Sequence, residues 1–264
     1  MNTKGLYIET FGEGVDVVML HGWGMHSGIL REAAERLGRE CRVTLVDLPG
    51  HGRSGPPASE EAFELGVIAE GLLEAVPEGA VWLGWSLGGM VAMAAAALAP
   101  ERVGGVVLVG SSPRFTRDRG WAHALAPAVL EAFSNDLQHG YRATLTRFLA
   151  LQTRGPDNAQ ASLRQLRGRL FEYGEPDHAA LRGGLRILRE ADLRGSLARI
   201  DCPVLVLLGE RDTLVPAAAG EALAAALPRG RLRMIPGAGH APFLSHPGPF
   251  HEAVSAFLSE RISV

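Results

Sequence analysis

The sequence predicts an α/β protein with a mostly parallel sheet, helices on both faces of that sheet, and a helical insertion. Short apolar runs that end in Gly or Asp alternate with segments of helix length, which is typical of a parallel sheet covered on both sides. The alternation stops once, from about residue 113 to residue 199, where the segments are helical and no convincing strand occurs. A chain of 264 residues is long enough for one large domain. We therefore expect a single domain, with a core of residues 1–112 and 200–264 and a helical lid at residues 113–199.

The predicted strands are short and rich in β-branched residues, which favours buried strands over helices. They cover residues 15–20, 43–46, 81–84, 103–109, 204–208 and 232–235. The sequence predicts helices at residues 28–37, 61–76, 87–98, 217–227 and 249–261. Because no apolar segment of signal-peptide type precedes the first strand, we expect a cytoplasmic protein.

An uncharged stretch between Glu78 and Glu101 is long enough to cross a bilayer. Ser86 and the glycines around it interrupt this stretch, whose first half is strand-like and whose second half is rich in Ala. We interpret it as a buried strand, a tight turn and a buried helix, and we expect no association with a membrane.

The composition is that of an ordinary globular protein, because 47% hydrophobic and 21% charged residues exclude a disordered chain, collagen and a coiled coil. The net charge of −3 gives no case for nucleic-acid binding. The two cysteines, Cys41 and Cys202, predict neither a disulfide framework nor a zinc cluster. Since no dinucleotide or phosphate-loop motif and no metal-ligand spacing occurs, we expect no cofactor and no metal.

Charge is distributed unevenly between the predicted lid and the predicted core. The lid holds fourteen arginines against nine acidic residues, so it carries +5 and the remaining residues carry −8. One interpretation is a separate functional unit, and the other is an ordinary solvated helical face in an arginine-rich chain.

The most specific local motif is G-x-S-x-G, in which Ser86 lies between Gly84 and Gly88, after a predicted strand and before a predicted helix. A turn this sharp leaves no room for a Cβ atom two residues before or after the serine. It exposes the hydroxyl at the carboxyl edge of the sheet and aims the N–H of Leu87, at the start of the helix, toward a developing oxyanion. We therefore predict Ser86 as a nucleophile and Leu87 as an oxyanion donor.

A nucleophilic serine needs a base, and the base needs an acid that orients it. His240 follows the last predicted strand in a Gly-rich loop and is the favoured base, whereas His246 starts the next helix and is interpreted as structural. Asp212 follows the penultimate strand and is the favoured acid, with Glu210 as the alternative. The chain order Ser86, Asp212, His240 is that of the α/β-hydrolase fold.

A second glycine-rich turn, at residues 21–24, follows the first predicted strand. Its glycines let the backbone approach a bound carbonyl, so the N–H of Trp23 is the predicted second oxyanion donor. The alternative is a simple turn with a packed Trp. The loop at residues 47–54, which contains His51, is interpreted as structural. A serine at position 86, where dehalogenases and epoxide hydrolases need Asp, indicates acyl transfer from an ester or another activated carbonyl.

Five motifs together resemble the family of pimeloyl-[acyl-carrier protein] methyl ester esterases of biotin synthesis. They are LHGWG at residues 20–24, DLPGHGRS at 47–54, WLGWSLGG at 82–89, RFLALQT at 147–153 and HAPFLSHP at 240–247. Many α/β-hydrolases share the first three, and the FLALQ segment and the doubled Gly-Trp are closer to this family. The resemblance runs from about residue 15 to the C-terminus.

The resemblance implies hydrolysis of the methyl ester of pimeloyl-[acyl-carrier protein] to free pimeloyl-carrier and methanol. It implies an acyl channel lined by the FLALQ segment, so that the implied substrate-binding residues are Trp23, Ser86, Leu87, Phe148, Leu149, Ala150, Leu151, Gln152 and His240.

The resemblance also implies that lid arginines hold the acidic carrier and its phosphopantetheine. Arg147 matches one of these arginines, and Arg164 falls on another by spacing. Ala143 and Gln160 stand where the family has two further arginines, and Arg142 is adjacent to the first of these positions.

We therefore expect a monomeric serine carboxylesterase that needs no cofactor. Two alternatives stay open. One is another hydrolase on the same fold, such as a general short-chain carboxylesterase or a C–C bond hydrolase. The other is a non-catalytic ligand-binding receptor, against which the complete set of Ser86, Asp212 and His240 counts.

Overall fold

The computed structural model describes residues 5–153 and 159–262, with side chains up to residue 260. The remaining residues, 1–4, 154–158 and 263–264, belong to the predicted core and lid but lie outside the described residues. The described strands form one sheet in the order β1-β3-β2-β4-β5-β6-β7. They are β1 (Ile8–Phe11), β2 (Asp16–Leu20), β3 (Arg42–Val46), β4 (Ala80–Trp85), β5 (Val103–Val109), β6 (Val204–Gly209) and β7 (Gly230–Ile235). Only β1 runs antiparallel to its neighbour in this described sheet.

Helices connect these strands, and the fold class predicted from the sequence is confirmed. The described α-helices are α1 (Arg31–Leu37), α2 (Leu65–Ala75), α3 (Leu87–Leu98), α4 (Pro127–His139), α5 (Tyr141–Gln152), α6 (Ala159–Arg169), α7 (His178–Glu190), α8 (Ala217–Ala226), α9 (Pro242–Ser245) and α10 (Pro247–Ile262). None of them is long and apolar enough to cross a membrane.

The centre of the sheet is the hydrophobic core of the molecule. Every residue of β4 and β6 is buried, as expected for parallel strands that helices cover on both faces. Trp82 lies beside Val18 of β2 and Val106 of β5 in the parallel register. Since parallel strands share one carboxyl edge, the loops that follow β2, β4, β5, β6 and β7 meet there.

The starts of two helices differ from the sequence prediction by more than two residues, and one described strand was not predicted. The strand β1 was not among the predicted strands, because it is a four-residue edge strand with only partly buried side chains. The helix predicted over residues 61–76 begins at Leu65, after a turn in which Ser59 Oγ accepts the N–H of Ala62. The helix predicted from residue 28 begins as a 3₁₀ turn over Ser27–Leu30 and becomes α-helical at Arg31.

The interruption of the β–α alternation lies between β5 and β6. In its described part, this segment contains α4 to α7 and two isolated β-bridges, Thr116 to Leu125 and Asp118 to Trp121. The uncharged stretch predicted as strand, turn and helix is β4, Ser86 and α3.

Candidate active site

Ser86 occupies a strained turn between β4 and α3. Its φ of 55° and ψ of −116° make it the only residue other than glycine with positive φ in the described part of the chain. A Cβ on Gly84 would lie 2.3 Å from the carbonyl oxygen of Gly88, and a Cβ on Gly88 would lie 2.5 Å from that of Leu20. These contacts explain why the motif needs both glycines. A backbone conformation of this kind costs about 1–3 kcal/mol, which the surrounding packing must offset.

The end of β5 and the loop directly after it hold this turn on both sides of Ser86. The N–H of Ser86 donates to the carbonyl of Val109 at 2.9 Å, and the hydroxyl of Ser111 donates to the carbonyl of Ser86 at 2.8 Å. The sequence analysis did not identify Ser111. The available signal was a pair of serines directly after a buried strand, at the edge where the site residues meet.

Asp212 and His240 form a buried pair at the same edge of the sheet. His240 Nδ1 lies 2.8 Å from Asp212 Oδ2, while Asp212 Oδ1 accepts the N–H groups of Leu214 at 2.8 Å and Val215 at 3.0 Å. Because an ionised carboxylate only accepts hydrogen bonds, the ring donates from Nδ1 and keeps a lone pair at Nε2.

The loop that carries His240 is fixed against the sheet. The indole N–H of Trp85, next to Ser86 in the chain, donates to the carbonyl of His240 at 2.9 Å. A Cβ on Gly209, the last residue of β6, would lie 2.2 Å from the carbonyl oxygen of Gly239. These two contacts bring the loop directly across the ends of β4 and β6.

The two alternative residues lie elsewhere. Glu210 is exposed, and its Oε2 accepts the N–H of Gly237 at 2.9 Å, so it supports the loop but does not contact the imidazole of His240 in the described structure. His246 Nδ1 lies 2.9 Å from the hydroxyl of Ser245. The structure therefore pairs His240 with Asp212 rather than with Glu210.

Two reactive atoms are buried without a hydrogen-bond partner among the described residues: Ser86 Oγ and His240 Nε2. Both residues are only 1% exposed. A buried polar atom without a partner is rare and costly, and an active site is one of the places where a ligand satisfies it.

The two predicted oxyanion donors flank the serine. Leu87 is the first residue of α3, so its N–H has no carbonyl one turn back in the helix. The turn with Trp23 lies against Ser86, because a Cβ on Gly22 would be 3.2 Å from the Ser86 Cβ. The indole of Trp23 donates to the carbonyl of Leu181 in α7 at 2.8 Å, which ties this turn to the predicted lid.

The FLALQ segment forms the end of α5, and its buried face points toward Trp23. The ring of Phe148 meets that of Trp23 edge to face, with centroids 4.8 Å apart, and Leu149 is also buried. Ala150 and Leu151 are partly exposed.

Gln152 is the one polar residue of this segment, and it is 1% exposed. Neither its Oε1 nor its Nε2 has a hydrogen-bond partner among the described residues. An amide with both ends unsatisfied in a buried place is a candidate contact for a ligand.

The predicted carrier arginines lie on the outer surface of α5 and α6. Arg142 pairs with Glu175, and Arg147 pairs with Asp136 at 2.6 Å. Arg164 is exposed and has no ion-pair partner within the described ranges. These three roles, like those of the other site residues, stay predictions.

A second buried cluster lies behind the turn at residues 21–24. Asp47 accepts the N–H of Ser27 at 2.7 Å and the Nε–H of Arg53 at 3.0 Å. Burial lowers the pKa of His21 to about 3, although the carboxylate of Asp47 opposes this shift. His51 Nδ1 lies 2.9 Å from the carbonyl oxygen of Pro49, while its Nε2 is buried without a hydrogen-bond partner among the described residues, so its structural interpretation stays a prediction. No metal-binding group of His, Cys, Asp or Glu occurs among the described residues.

Comparisons with known proteins agree with the fold and identify the family. The pattern of the alpha/beta hydrolase fold matches residues 17–247. A pimeloyl-[acyl-carrier protein] methyl ester esterase from Chromobacterium violaceum is 46% identical over 97% of this chain and 99% of its own length. A protein of the same name from Edwardsiella ictaluri is 42% identical over 98% of this chain and 99% of its own. Among solved structures, an esterase from Exiguobacterium antarcticum superposes with a TM-score of 0.85 at 25% identity, covering 96% of this chain and 95% of its own.

The fold and these relatives define a carboxylic ester hydrolase of the α/β-hydrolase class. The sequence motifs and the near full-length identity narrow this class further. The chain belongs to the family of pimeloyl-[acyl-carrier protein] methyl ester esterases.

Proposed function

We propose that this chain hydrolyses the methyl ester of a pimeloyl group carried by acyl-carrier protein, a reaction of biotin synthesis. One observation carries the proposal: Ser86 Oγ and His240 Nε2 are buried and unpartnered among the described residues. They occur in a chain that is 46% identical, over 97% of its length, to a relative named for this activity.

In the first half of the reaction, Ser86 Oγ attacks the ester carbonyl while His240 Nε2 takes its proton. The negative charge on the carbonyl oxygen is held by the N–H groups of Trp23 and Leu87, and Asp212 stabilises the imidazolium. The bond to the methoxy group then breaks, His240 returns the proton to that oxygen, and methanol leaves. The product of this half is an acyl group on Ser86.

In the second half, a water molecule replaces methanol. His240 Nε2 takes one proton from the water as its oxygen attacks the acyl carbonyl, and the same oxyanion donors act again. When the bond to Ser86 Oγ breaks, the proton passes from His240 to that oxygen. The pimeloyl-carrier leaves as the free carboxylic acid, which then loses its remaining proton to water, and no cofactor takes part.

We propose further that α4 to α7 act as a lid and that Phe148 to Gln152 line the acyl channel. Support comes from the edge-to-face contact of Phe148 with Trp23 and from the unsatisfied amide of Gln152. The carrier would dock on the outer surface of α5 and α6, through Arg142, Arg147 and Arg164. This surface suits an acidic partner because the lid carries +5 and the remaining residues carry −8.

The decisive experiment compares kcat/KM for the pimeloyl-carrier methyl ester with kcat/KM for free dimethyl pimelate, with methanol release as the readout. We expect the carrier-bound ester to be the better substrate and Ser86→Ala to abolish its turnover. Equal turnover of the two esters would favour a general carboxylesterase. Absence of methanol release from both would favour a C–C bond hydrolase, or a receptor if Ser86 also fails to react with a fluorophosphonate.

A further inference from the structure

The peptide group between Ser86 and Leu87 supplies one of the proposed oxyanion donors, and a hydroxyl from the end of β5 holds it. We propose that Ser111 is a positioning residue, whose hydroxyl fixes the plane of this peptide so that the Leu87 N–H points at the oxyanion. The inference rests on the proposed ester hydrolysis.

The geometry of a peptide bond links the two ends of this group. The C=O of Ser86 and the N–H of Leu87 belong to one planar unit, and no cis peptide bond occurs among the described residues. In a trans peptide these two bonds point in opposite directions. Whatever fixes the direction of the Ser86 carbonyl therefore fixes the direction of the Leu87 N–H.

The Ser86 carbonyl accepts three hydrogen bonds in the described structure. Two come from the first turn of α3, from the N–H of Gly89 at 3.0 Å and of Met90 at 3.3 Å. The third and shortest comes from the Ser111 hydroxyl at 2.8 Å. Only this third bond joins the peptide to the sheet, because the other two belong to the helix that the turn itself begins.

A strained residue needs such an external restraint. Ser86 has positive φ, its own N–H is held by the carbonyl of Val109 in β5, and its carbonyl is held by Ser111 in the loop after β5. Without the Ser111 hydroxyl, rotation about ψ of Ser86 would relieve strain and turn the Leu87 N–H away from the oxyanion. Ser111 is fully buried, and a Cβ on Gly89 would lie 2.4 Å from the Cβ of Ser111. The start of α3 and the loop after β5 are therefore closely packed at this point.

The next residue offers a matched control. Ser112 is also buried, and its hydroxyl also donates to a backbone carbonyl, that of Arg114 at 2.7 Å. This carbonyl belongs to the loop after β5 and not to the turn at Ser86. Ser112→Ala therefore removes a bond of the same kind without touching the oxyanion site.

The test uses p-nitrophenyl acetate as substrate and a trifluoromethyl ketone that forms a tetrahedral adduct with serine. For Ser111→Ala we expect kcat to fall about 10-fold to 100-fold, less than the full loss of an oxyanion donor. The affinity for the ketone should fall by a similar factor. KM and the acidic limb of the pH profile should stay unchanged, because no hydrogen bond joins Ser111 to His240 or Asp212 in the described structure. Ser112→Ala should leave all four quantities unchanged.

Several outcomes would overturn the proposal: an unchanged affinity for the ketone, a loss confined to KM, or an equal loss of kcat in Ser112→Ala. If Ser111→Ala does not fold, Ser111→Cys keeps the side-chain shape with a weak donor. It should show an intermediate loss of kcat, and wild-type kcat in this variant would also overturn the proposal. Ser86→Ala distinguishes failure of the Ser111 proposal from failure of the proposed ester hydrolysis. Activity retained in that variant contradicts the proposed function itself, whatever the Ser111 variants show.

Discussion

Single residues of the candidate site are oriented by backbone groups as well as by one another. Asp212 is the clearest case, because the N–H groups of Leu214 and Val215 hold one carboxylate oxygen and leave the other for His240. The acid is therefore in place before the imidazole is charged. Preorganisation of this kind means that little rearrangement is needed when charge develops during the reaction.

Amide variants of Asp212 and of its sequence neighbour Glu210 should show which of the two carboxylates is the catalytic acid. Asp212→Asn should lower kcat on the order of 10⁴-fold, because an amide that donates to Nδ1 favours the wrong tautomer of His240. Glu210→Gln should have little effect, since its carboxylate only supports the exposed Gly237 N–H. Ser86→Ala and His240→Ala serve as reference variants, in which kcat should fall by about 10⁴-fold to 10⁶-fold while the protein stays folded. A Glu210→Gln variant as damaged as Asp212→Asn would contradict the assignment.

Gln152 should show a conflict between stability and activity. Its buried amide is unsatisfied within the described residues, and such a group costs about 1–3 kcal/mol. Gln152→Met, which keeps an unbranched side chain, should therefore raise the free energy of unfolding in urea by about that amount and lower kcat/KM for the pimeloyl ester. Gln138→Met, on the exposed face of α4, should change neither quantity. A loss of stability in Gln152→Met would mean that the amide is satisfied in the folded protein.

Among the secondary-structure elements, α5 has a direct connection to the site on one face and carries charge on the other. Leu145 and Phe148 are buried, and a Cβ on Gly24 would lie 2.5 Å from a methyl group of Leu145. Arg142 and Arg147 are exposed on the outer face. Binding of a partner to the outer face would therefore act on the same rigid element that covers Trp23.

The apolar face of α5 should determine how well long acyl chains bind. Phe148→Ala should raise KM for long acyl esters, because the lost contact is worth about 1–3 kcal/mol of binding free energy. The effect on KM for acetate esters should be much smaller. Phe133→Ala is the control, because Phe133 packs against Phe148 with centroids 5.3 Å apart and its loss also removes a buried aromatic ring. Equal effects of Phe148→Ala on long and short esters would place the ring outside the channel.

Local patterns were sufficient to predict part of this structure. The spacing of Gly84, Ser86 and Gly88 predicted the strand, turn and helix, because the whole motif lies within five consecutive residues. The oxygen that excludes a Cβ at Gly88, however, belongs to Leu20 in β2. The contact of the Trp23 indole with the Leu181 carbonyl spans 158 positions, and no local pattern contains it. The same holds for the bond from Ser111 to Ser86, which only the pairing of β4 with β5 creates.

Over the whole molecule, the division of charge between the proposed lid and the core suggests how the proposed partner docks. Arg182 and Arg186 of the lid pair with Glu60 and Glu64 of the core, so these two cations are partly neutralised. Arg142 and Arg147 are also paired with acidic residues of the proposed lid, whereas Arg164 has no ion pair in the described residues and faces solvent. An acidic carrier should therefore be attracted to the outer surface of α5 and α6 and repelled elsewhere.

Removing Arg147 and Arg164 together should weaken kcat/KM for the carrier-bound ester and leave a small free ester unaffected. Exposed charge contacts are each worth roughly 0.2–1 kcal/mol, so the double change to Ala should cost a few-fold to about thirty-fold. The loss should shrink with added salt, since the Debye length falls from about 10 Å at 0.1 M to about 3 Å at 1 M. The matched control changes Arg39 and Arg229, two exposed arginines outside the predicted lid, to Ala. If the control loses as much, or salt has no effect, docking on this surface is wrong.

Global stability should depend on pH through the buried histidines. Burial lowers the pKa of His21 to about 3 and also lowers the pKa values of His26 and His51. In the unfolded chain each has a pKa near 6.5, so between pH 6.5 and the lower native value the unfolded state binds more protons. Stability should therefore be complete above pH 6.5. Below that pH it should fall by up to about 1.4 kcal/mol per pH unit for each histidine.

Urea unfolding at pH 8, 6 and 5 measures this effect directly. His51→Asn retains a donor for the Pro49 carbonyl. It should reduce the slope of the free energy of unfolding against pH by the amount that His51 contributes. Equal stability at pH 8 and pH 5 would contradict the burial of these rings as neutral groups.

The burial of Ser86, at 1% exposure, has a kinetic consequence. If the proposed lid of α4 to α7 covers this hydroxyl, a reagent reaches it only during the fraction of time in which the lid has moved aside, and every second-order rate is multiplied by that fraction. A partner that binds the uncovered form more tightly raises the fraction by the ratio of its two affinities. The rate at which the serine reacts with a small inert reagent, measured with and without the carrier alone, would thus report this equilibrium without any ester being turned over.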